Sequence, residues 1–330
     1  MQTTSPTMMP SFVPGAQRAF SLVEMMVVLL ILGVVMAIVV PALSAARNTA
    51  RKAATSALMS GLGNAASQFQ MDERRLPGYF TQRDIGAAEN GDGTRGFSTM
   101  NNLMADLCGG VVESNTTATT IQVGPRAGAT QIYIDTALIG SSRQIKGVTN
   151  KAYFQPDPKF FGITAGKDGG PAHMALPDLF DSWGTPIMAW QQDEVPSTSQ
   201  EFAEMDSGSP ALFYWVQNAA FLKSTGLGKF TINQAMDSVI GLGAGSDAVD
   251  SLEGVLGTPA FADPTDPTMP AAARAPIIFH SAGYNSIFCG KRERGGRLAA
   301  GNPIDPGEIA YTSPRDAMDA FDDILAKVSN

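Results

Sequence analysis

Ala19-Phe20-Ser21-Leu22-Val23-Glu24 opens the stretch that decides the fold, because the run behind it, Met25 to Val40, holds no polar or charged residue. Pro41 interrupts the run, and Ala42, Leu43, Ala45 and Ala46 extend it. A helix needs about 20 predominantly apolar residues to cross a bilayer, and this run reaches that length. Glu24 stands at its mouth. A carboxylate there costs on the order of a few kcal/mol, so a functional role is the default expectation, with a plain headgroup-level position as the alternative. Upstream, residues 1–19 are polar and broken by Pro6, Pro10 and Pro14. Arg18 is the one charge before the run and favours keeping this end in the cytoplasm.

Small residue, Phe, Ser, Glu, apolar run and proline keep one register, and that register resembles the class III leader of type IV pilins and type II secretion pseudopilins. The resemblance implies cleavage between Ala19 and Phe20, methylation of the new terminus at Phe20, and Glu24 as the fifth residue of the mature chain. Pro41 falls where many members carry a helix-kinking proline. Ala19 departs from the usual Gly; cleavage is expected to survive, more slowly. An ordinary secretory signal would instead be cut after the apolar core, where Ala42–Ala46 offers small residues. The Phe-Ser-Leu-Val-Glu signature favours a cut before it. In a filament, Glu24 would pair with the positive terminus of a neighbouring Phe20, an attraction that water would otherwise screen. Desolvation opposes such a pair, so register selection is expected rather than a large gain in stability.

Beyond Ala46 the helical character persists. Ala54, Leu58, Leu62, Ala65 and Phe69 recur at three- and four-residue spacing, as on a one-faced helix, with Gly61 and Gly63 weakening it locally. One helix is therefore expected from Phe20 to about Arg74, roughly 80 Å long, with Pro41 as the place for a bend and Leu76-Pro77-Gly78 as a sharp stop. Its first half would span a membrane or pack in a filament core, and its second would lie on a sheet. The expected organisation is a leader (1–19), a transmembrane and assembly helix (20–75) and an α+β head (76–330).

The 330 residues include 34 Gly and 21 Pro, which imply a loop-rich head. A net charge of −8 argues against non-specific nucleic-acid binding. Cys108 and Cys289 form no CxxC, which excludes a zinc ribbon or a thioredoxin-like site; a disulfide and two buried free thiols both stay open. Within the head, a short helix is expected around Met100–Leu107 and strands at 119–123 and 131–134, with loops over the rest of 78–118 and turns over 141–175. A strand is expected over Ile187–Gln191 and a core strand over Ala211–Val216. Residues 220–270 read as an insertion, partly helical around Ile232–Ile240.

Two head elements carry further resemblance. Asp181-Ser182-Trp183-Gly184-Thr185-Pro186 is similar to the Asp-x-Trp-Gly-x-Pro element of major pseudopilins, which leads into a small antiparallel sheet. Trp183 would anchor the loop, Gly184 would permit the turn and Pro186 would fix entry into the strand. Ser281-Ala282-Gly283-Tyr284-Asn285, after an apolar strand from Pro276, looks like their Ser-x-Gly-x-Asp turn, and Asp322-Asp323-Ile324 like their closing Asp-Asp-Ile. That resemblance implies a calcium ion in this loop, held here by Ser281, Asn285, Asp322 and Asp323. Asn285 stands where the Asp is usual, and Ile278 where another acidic ligand often lies, so two carboxylates are missing. Without the ion, the same residues would form a hydrogen-bonded turn.

Other motifs carry less. Gly91–Gly96 fits GxGxxG without a strand before it or a clear helix behind it, so a flexible turn is expected. His280 and Ser281 are adjacent on a strand and point to opposite faces, so they cannot serve as base and nucleophile. His173 is the only other histidine, and neither a nucleophile elbow nor HExxH occurs. Trp183, Trp190, Phe213 and Trp215 suit a core better than a carbohydrate platform.

The expected fold class is α+β and pilin-like: one long N-terminal helix packed on a small antiparallel sheet, with large loop-rich insertions. The expected role is structural, in a type II secretion pseudopilus. Its partners would be the prepilin peptidase, copies of itself and sister pseudopilins, and the inner-membrane assembly platform. The location would be the bacterial inner membrane, single-pass, head in the periplasm, and then the filament. A type IV pilus subunit for adhesion or DNA uptake is the second structural reading. A membrane-tethered binding protein or hydrolase is the reading from another class.

Overall fold

The computed structural model describes residues 21–81, 85, 97–114, 117–124, 132–145, 148–164, 176–191, 203–204, 213–214, 218, 221–222, 234–241, 255–256, 261–263, 266–270, 275–291, 293 and 321–328. Ala19, Phe20, the 91–96 glycine motif, His173 and Trp215 lie outside them. Two compact units divide the chain, residues 1–49 and residues 50–330. Helix α1 (Leu22–Glu73) begins in the first, is continuous through Pro41 and ends in the second.

In the first unit, the α1 side chains Leu22 to Leu43 are exposed, none of the large apolar ones by less than 48 %. The most apolar window of the helix has mean hydropathy 3.0, and no part of it is buried. Leaving so many aliphatic side chains in water forgoes about 1.5–3 kcal/mol for each, so a bilayer or a bundle of like helices is the medium this segment suits.

In the second unit, α1 buries Thr55, Met59, Leu62, Ala65, Ala66 and Phe69. The stripe is turned slightly from the sequence expectation: Leu58 is half-buried at its edge, while Thr55 and Met59 are central. Thr55 can sit there because its hydroxyl donates to Ser182 Oγ and accepts from Ser182 N, each at 3.1 Å. Helix α1 ends as Arg74 takes a left-handed φ of 58°.

This stripe packs in one core with α2 (Thr99–Leu107) and with a three-stranded antiparallel sheet. The sheet has β8 (Met188–Gln191) and β14 (Ile324–Lys327) on either side of β13 (Ile277–Ser281). Its α1-facing residues include Ala189, Ile277, Phe279 and Ile324. Along β13, the alternation of a strand turns Ile277, Phe279 and Ser281 to this face and Ile278 and His280 to the other. Helix α2 starts in a capping box, Ser98 with Asn101. The Asn101 amide also donates to Pro177 O and Asp178 Oδ1, tying α2 to the strand before the Trp183 loop.

A second small core (Ile85, Phe97, Ala105, Val123, Ile132, Ile134) lies between α2 and the sheet β1–β3–β2. Its strands are β1 (Val111–Val112), β2 (Thr120–Val123) and β3 (Ile132–Asp135), and β2 with β3 form the expected pair. The region read as turns holds three short strands, β4 (Arg143–Ile145), β5 (Val148–Asn150) and β6 (Phe161–Thr164). Strand β6 pairs antiparallel with β7 (Leu176–Leu179). Strands β9 (Ala203–Glu204) and β10 (Phe213–Tyr214) pair in parallel, helix α3 (Gln234–Asp237) is a single turn, and β11 (Phe261–Asp263) pairs with β12 (Asp266–Pro270). Four-residue strands among glycine and proline carry too little alternation to stand out locally. Cys108 and Cys289 are both buried free thiols, and burial pushes the Cys108 thiol up to about 12, far from a reactive thiolate. The architecture is α+β, one long N-terminal helix with small antiparallel sheets.

Candidate functional site

At the start of α1, Ser21 and Glu24 satisfy each other's backbone. Ser21 N donates to Glu24 Oε2 at 3.0 Å, and Glu24 N donates to Ser21 Oγ at 3.2 Å. This is a capping box, legible as Ser-x-x-Glu. Glu24 is thus placed in the first helical turn, where a carboxylate also favours the positive end of the helix dipole.

In the head, the two motif elements meet at one buried carboxylate. Asp181 Oδ1 accepts from Trp183 N and Thr185 N, both at 2.9 Å, and Asp181 Oδ2 accepts from Ser281 Oγ at 2.8 Å. Asp181 N in turn donates to Thr185 O, and Phe180 and Pro186 face each other across the neck of the loop. Gly184 closes the turn at a φ of 91°, a conformation that a side chain would strain. Trp183 drops into the α1-facing core. Ser182 holds Thr55 of α1 and Ser281 ends β13, so Asp181 ties helix, loop and sheet together. Burial pushes the Asp181 carboxyl up to about 6, against the pull of its donors from Thr185, Ser281 and Trp183. A carboxyl raised in the fold binds more protons there than in the unfolded chain between about pH 4 and pH 6. Its contribution is therefore full below pH 4 and lost as pH rises through 6, by about 3 kcal/mol. Urea denaturation at pH 4.5 and pH 7 is expected to show a lower midpoint at the higher pH, and Asp181→Asn is expected to shrink that difference, the remainder belonging to Glu293 and Asp323, whose carboxyls are raised as well.

The other face of β13 carries a different polar cluster. Trp190 Nε1 donates to His280 Nδ1 at 3.1 Å, and His280 Nε2 meets Asp323 Oδ2 at 2.5 Å. An indole nitrogen is a donor only, so His280 Nδ1 must accept, and the proton of the neutral ring sits on Nε2, directed at Asp323. Cys289 N also donates to Asp323 Oδ2. Burial raises the Asp323 carboxyl, with the His280 hydrogen bond working against it. Next to it, Asp322 Oδ2 accepts from Tyr284 N at 2.9 Å and from Asn285 N at 3.3 Å. Glu293 Oε2 accepts from Gly290 N, and Glu293 Oε1 from Asp322 N. Burial first, then Asp322 and Asp323, push the Glu293 carboxyl up to about 8.

Of the four expected calcium ligands, Ser281 stands apart, and Asn285 meets Asp322 only through its backbone N. Asp322 and Asp323 sit together, whereas Ser281 Oγ is committed to Asp181 and Asn285 Oδ1 accepts from Ile287 N. The residues present still fit a hard cation. Glu293, Asp322 and Asp323 each bring a carboxylate oxygen within 4.8 Å of the others, and Asp322 Oδ1 and Asp323 Oδ1 are buried without a hydrogen-bond partner among the described residues. His280, Cys289 and Asp323 are equally close together, but His280 Nδ1 faces the Trp190 N–H and cannot carry the proton that a neutral ring bound to a metal through Nε2 would keep. Bound calcium would draw on Asp322 and Asp323 and offset their mutual repulsion. Sequence reasoning missed Glu293, the Trp190–His280–Asp323 chain and the hub role of Asp181. Of these, only the Asp181–Ser281 link had a readable cue, since both lie in recognisable elements.

Among known families, residues 15–40 match the model described as the prokaryotic N-terminal methylation motif. No curated protein and no solved structure matches the chain.

Proposed function

We propose, from the prepilin-type signal of type IV pilins and pseudopilins that residues 15–40 carry, that this chain is a structural subunit of a type II secretion pseudopilus. The peptidase cuts between Ala19 and Phe20 and methylates Phe20. The mature subunit then leaves the inner membrane for a periplasmic filament built with copies of itself and sister pseudopilins on the assembly platform. The observation that carries the reading is the methylation motif set directly on a helix whose first half is apolar and unburied. Glu24, in the first helical turn, would meet the charged terminus of a neighbouring subunit. Support for secretion over a surface pilus comes from the meeting of the Asp181–Pro186 and Ser281–Asn285 elements at Asp181. The role is non-enzymatic.

Intact mass and amino-terminal sequencing of the protein from native membranes tests this. The expected chain starts at N-methylated Phe20. A chain that keeps Met1, or one that begins after Ala46, overturns the reading. Recovery of the processed chain in cell-surface pili, rather than in the periplasm, would shift the role to a type IV pilus.

A further inference from the structure

The two buried carboxylate oxygens beside the C-terminal strand find no acidic side chain in the turn that precedes them, where Asn285 spends its Oδ1 on Ile287 N at 2.7 Å. The geometry points to Glu293, outside both recognisable head elements, as the third carboxylate of a divalent-cation site with Asp322 and Asp323. One oxygen from each of the three lies within 4.8 Å of the others. The Asp323 side chain is fully buried, and its inner oxygen is already saturated by His280 Nε2 and Cys289 N, which leaves Oδ1 for a ligand. Asp322 repeats the pattern, with Oδ2 on two backbone N–H groups and Oδ1 open. Each Glu293 oxygen accepts one N–H and keeps a lone pair free.

The loop is shaped to bring Glu293 there. At Gly290, an added Cβ would lie 2.9 Å from Asn285 Nδ2 and 3.0 Å from Glu293 Oε2, so a side chain there would push on both. No Lys or Arg among the described residues forms an ion pair with the three acids, and Lys291 Nζ turns instead to Met236 O. Three carboxylates packed this closely repel one another unless a proton or a cation intervenes, and oxygen-only ligation with a net negative charge selects a hard divalent ion.

The inference concerns the head alone and is independent of processing at Phe20. Isothermal titration of calcium chloride into the full-length protein, purified in detergent and stripped with chelator, tests it. One site is expected in the wild type, with a rise in Tm on calcium addition. Glu293→Gln is expected to weaken binding by about tenfold or more, since affinity follows the charge count of the ligands, and to abolish the Tm rise. Asn285→Ala is expected to leave affinity within about threefold. No calcium uptake by the wild type, unchanged affinity in Glu293→Gln, or loss of binding in Asn285→Ala instead would each overturn the assignment. If the Gln variant fails to fold, Glu293→Asp keeps the charge on a shorter arm. A clear loss of affinity there supports the site, and wild-type affinity overturns it.

Discussion

Asp181→Ala is expected to lower the unfolding free energy of the head by about 3–5 kcal/mol, the range seen when a buried charged hub is deleted and its partners are stranded. Three donors lose their acceptor at once: Trp183 N, Thr185 N and Ser281 Oγ. All three residues are buried, so water cannot replace the carboxylate without opening the loop. The loss would propagate, because the loop carries Trp183 into the α1-facing core and Ser182 to Thr55. Asp181→Asn separates the parts. Its amide oxygen still accepts the two backbone N–H groups, and its NH2 can donate to Ser281 Oγ as a protonated carboxyl would, so a loss of about 1–2 kcal/mol is expected at pH 4.5. Urea denaturation of the full-length protein followed by tryptophan fluorescence checks both. If alanine costs less than about 1 kcal/mol, the hub does not hold the two motif elements together.

How far the fold could be read from the sequence depends on whether each feature is local. The α1 boundary was visible because its spacing runs unbroken to Phe69, and the helix does end at Glu73. Its buried stripe was misplaced by a fraction of a turn, because an apolar template passes over Thr55, a polar residue that is buried by bonding Ser182, 127 positions away. Strand β13 stood out as a run of apolar residues before a turn. Strand β14 did not: Ile324-Leu325-Ala326-Lys327 is too short to show a period, and only its pairing with Ile278–Ser281 makes it a strand. The candidate site follows the same rule. Asp322 and Asp323 were found through the pattern around them. Glu293 sits in a charged stretch like any solvated acid, and nothing near it in sequence marks the approach to Asp322. His280 and Asp323 lie 43 residues apart, so the tautomer that Trp190 imposes was invisible until the strands were paired.

Gly283→Ala is expected to be the most damaging small substitution in the turn after β13. Gly283 has a φ of +67°, where an L-residue costs about 1–2 kcal/mol. A Cβ there would also lie 2.5 Å from Asp322 O and 2.7 Å from Asp322 Oδ1, and the nearer contact is with backbone that a rotamer change cannot move. The segment bearing Asp322 must retreat. It then loosens the bonds from Tyr284 N and Asn285 N, each worth about 1 kcal/mol. A total loss of about 3–4 kcal/mol is expected from these parts. Calcium uptake should fall with it, since Asp322 Oδ1 is displaced. The same chemical change at Gly61 gives the contrast. That glycine lies inside α1 with one side-chain atom of Phe154 at 3.5 Å, an ordinary contact. Alanine there should stabilise the head by about 0.5–1 kcal/mol through helix propensity. Denaturation midpoints of the two variants should therefore move in opposite directions. If Gly283→Ala melts like the wild type, the close approach of the turn to Asp322 is not a feature of the folded head, and the cation site built on it fails as well.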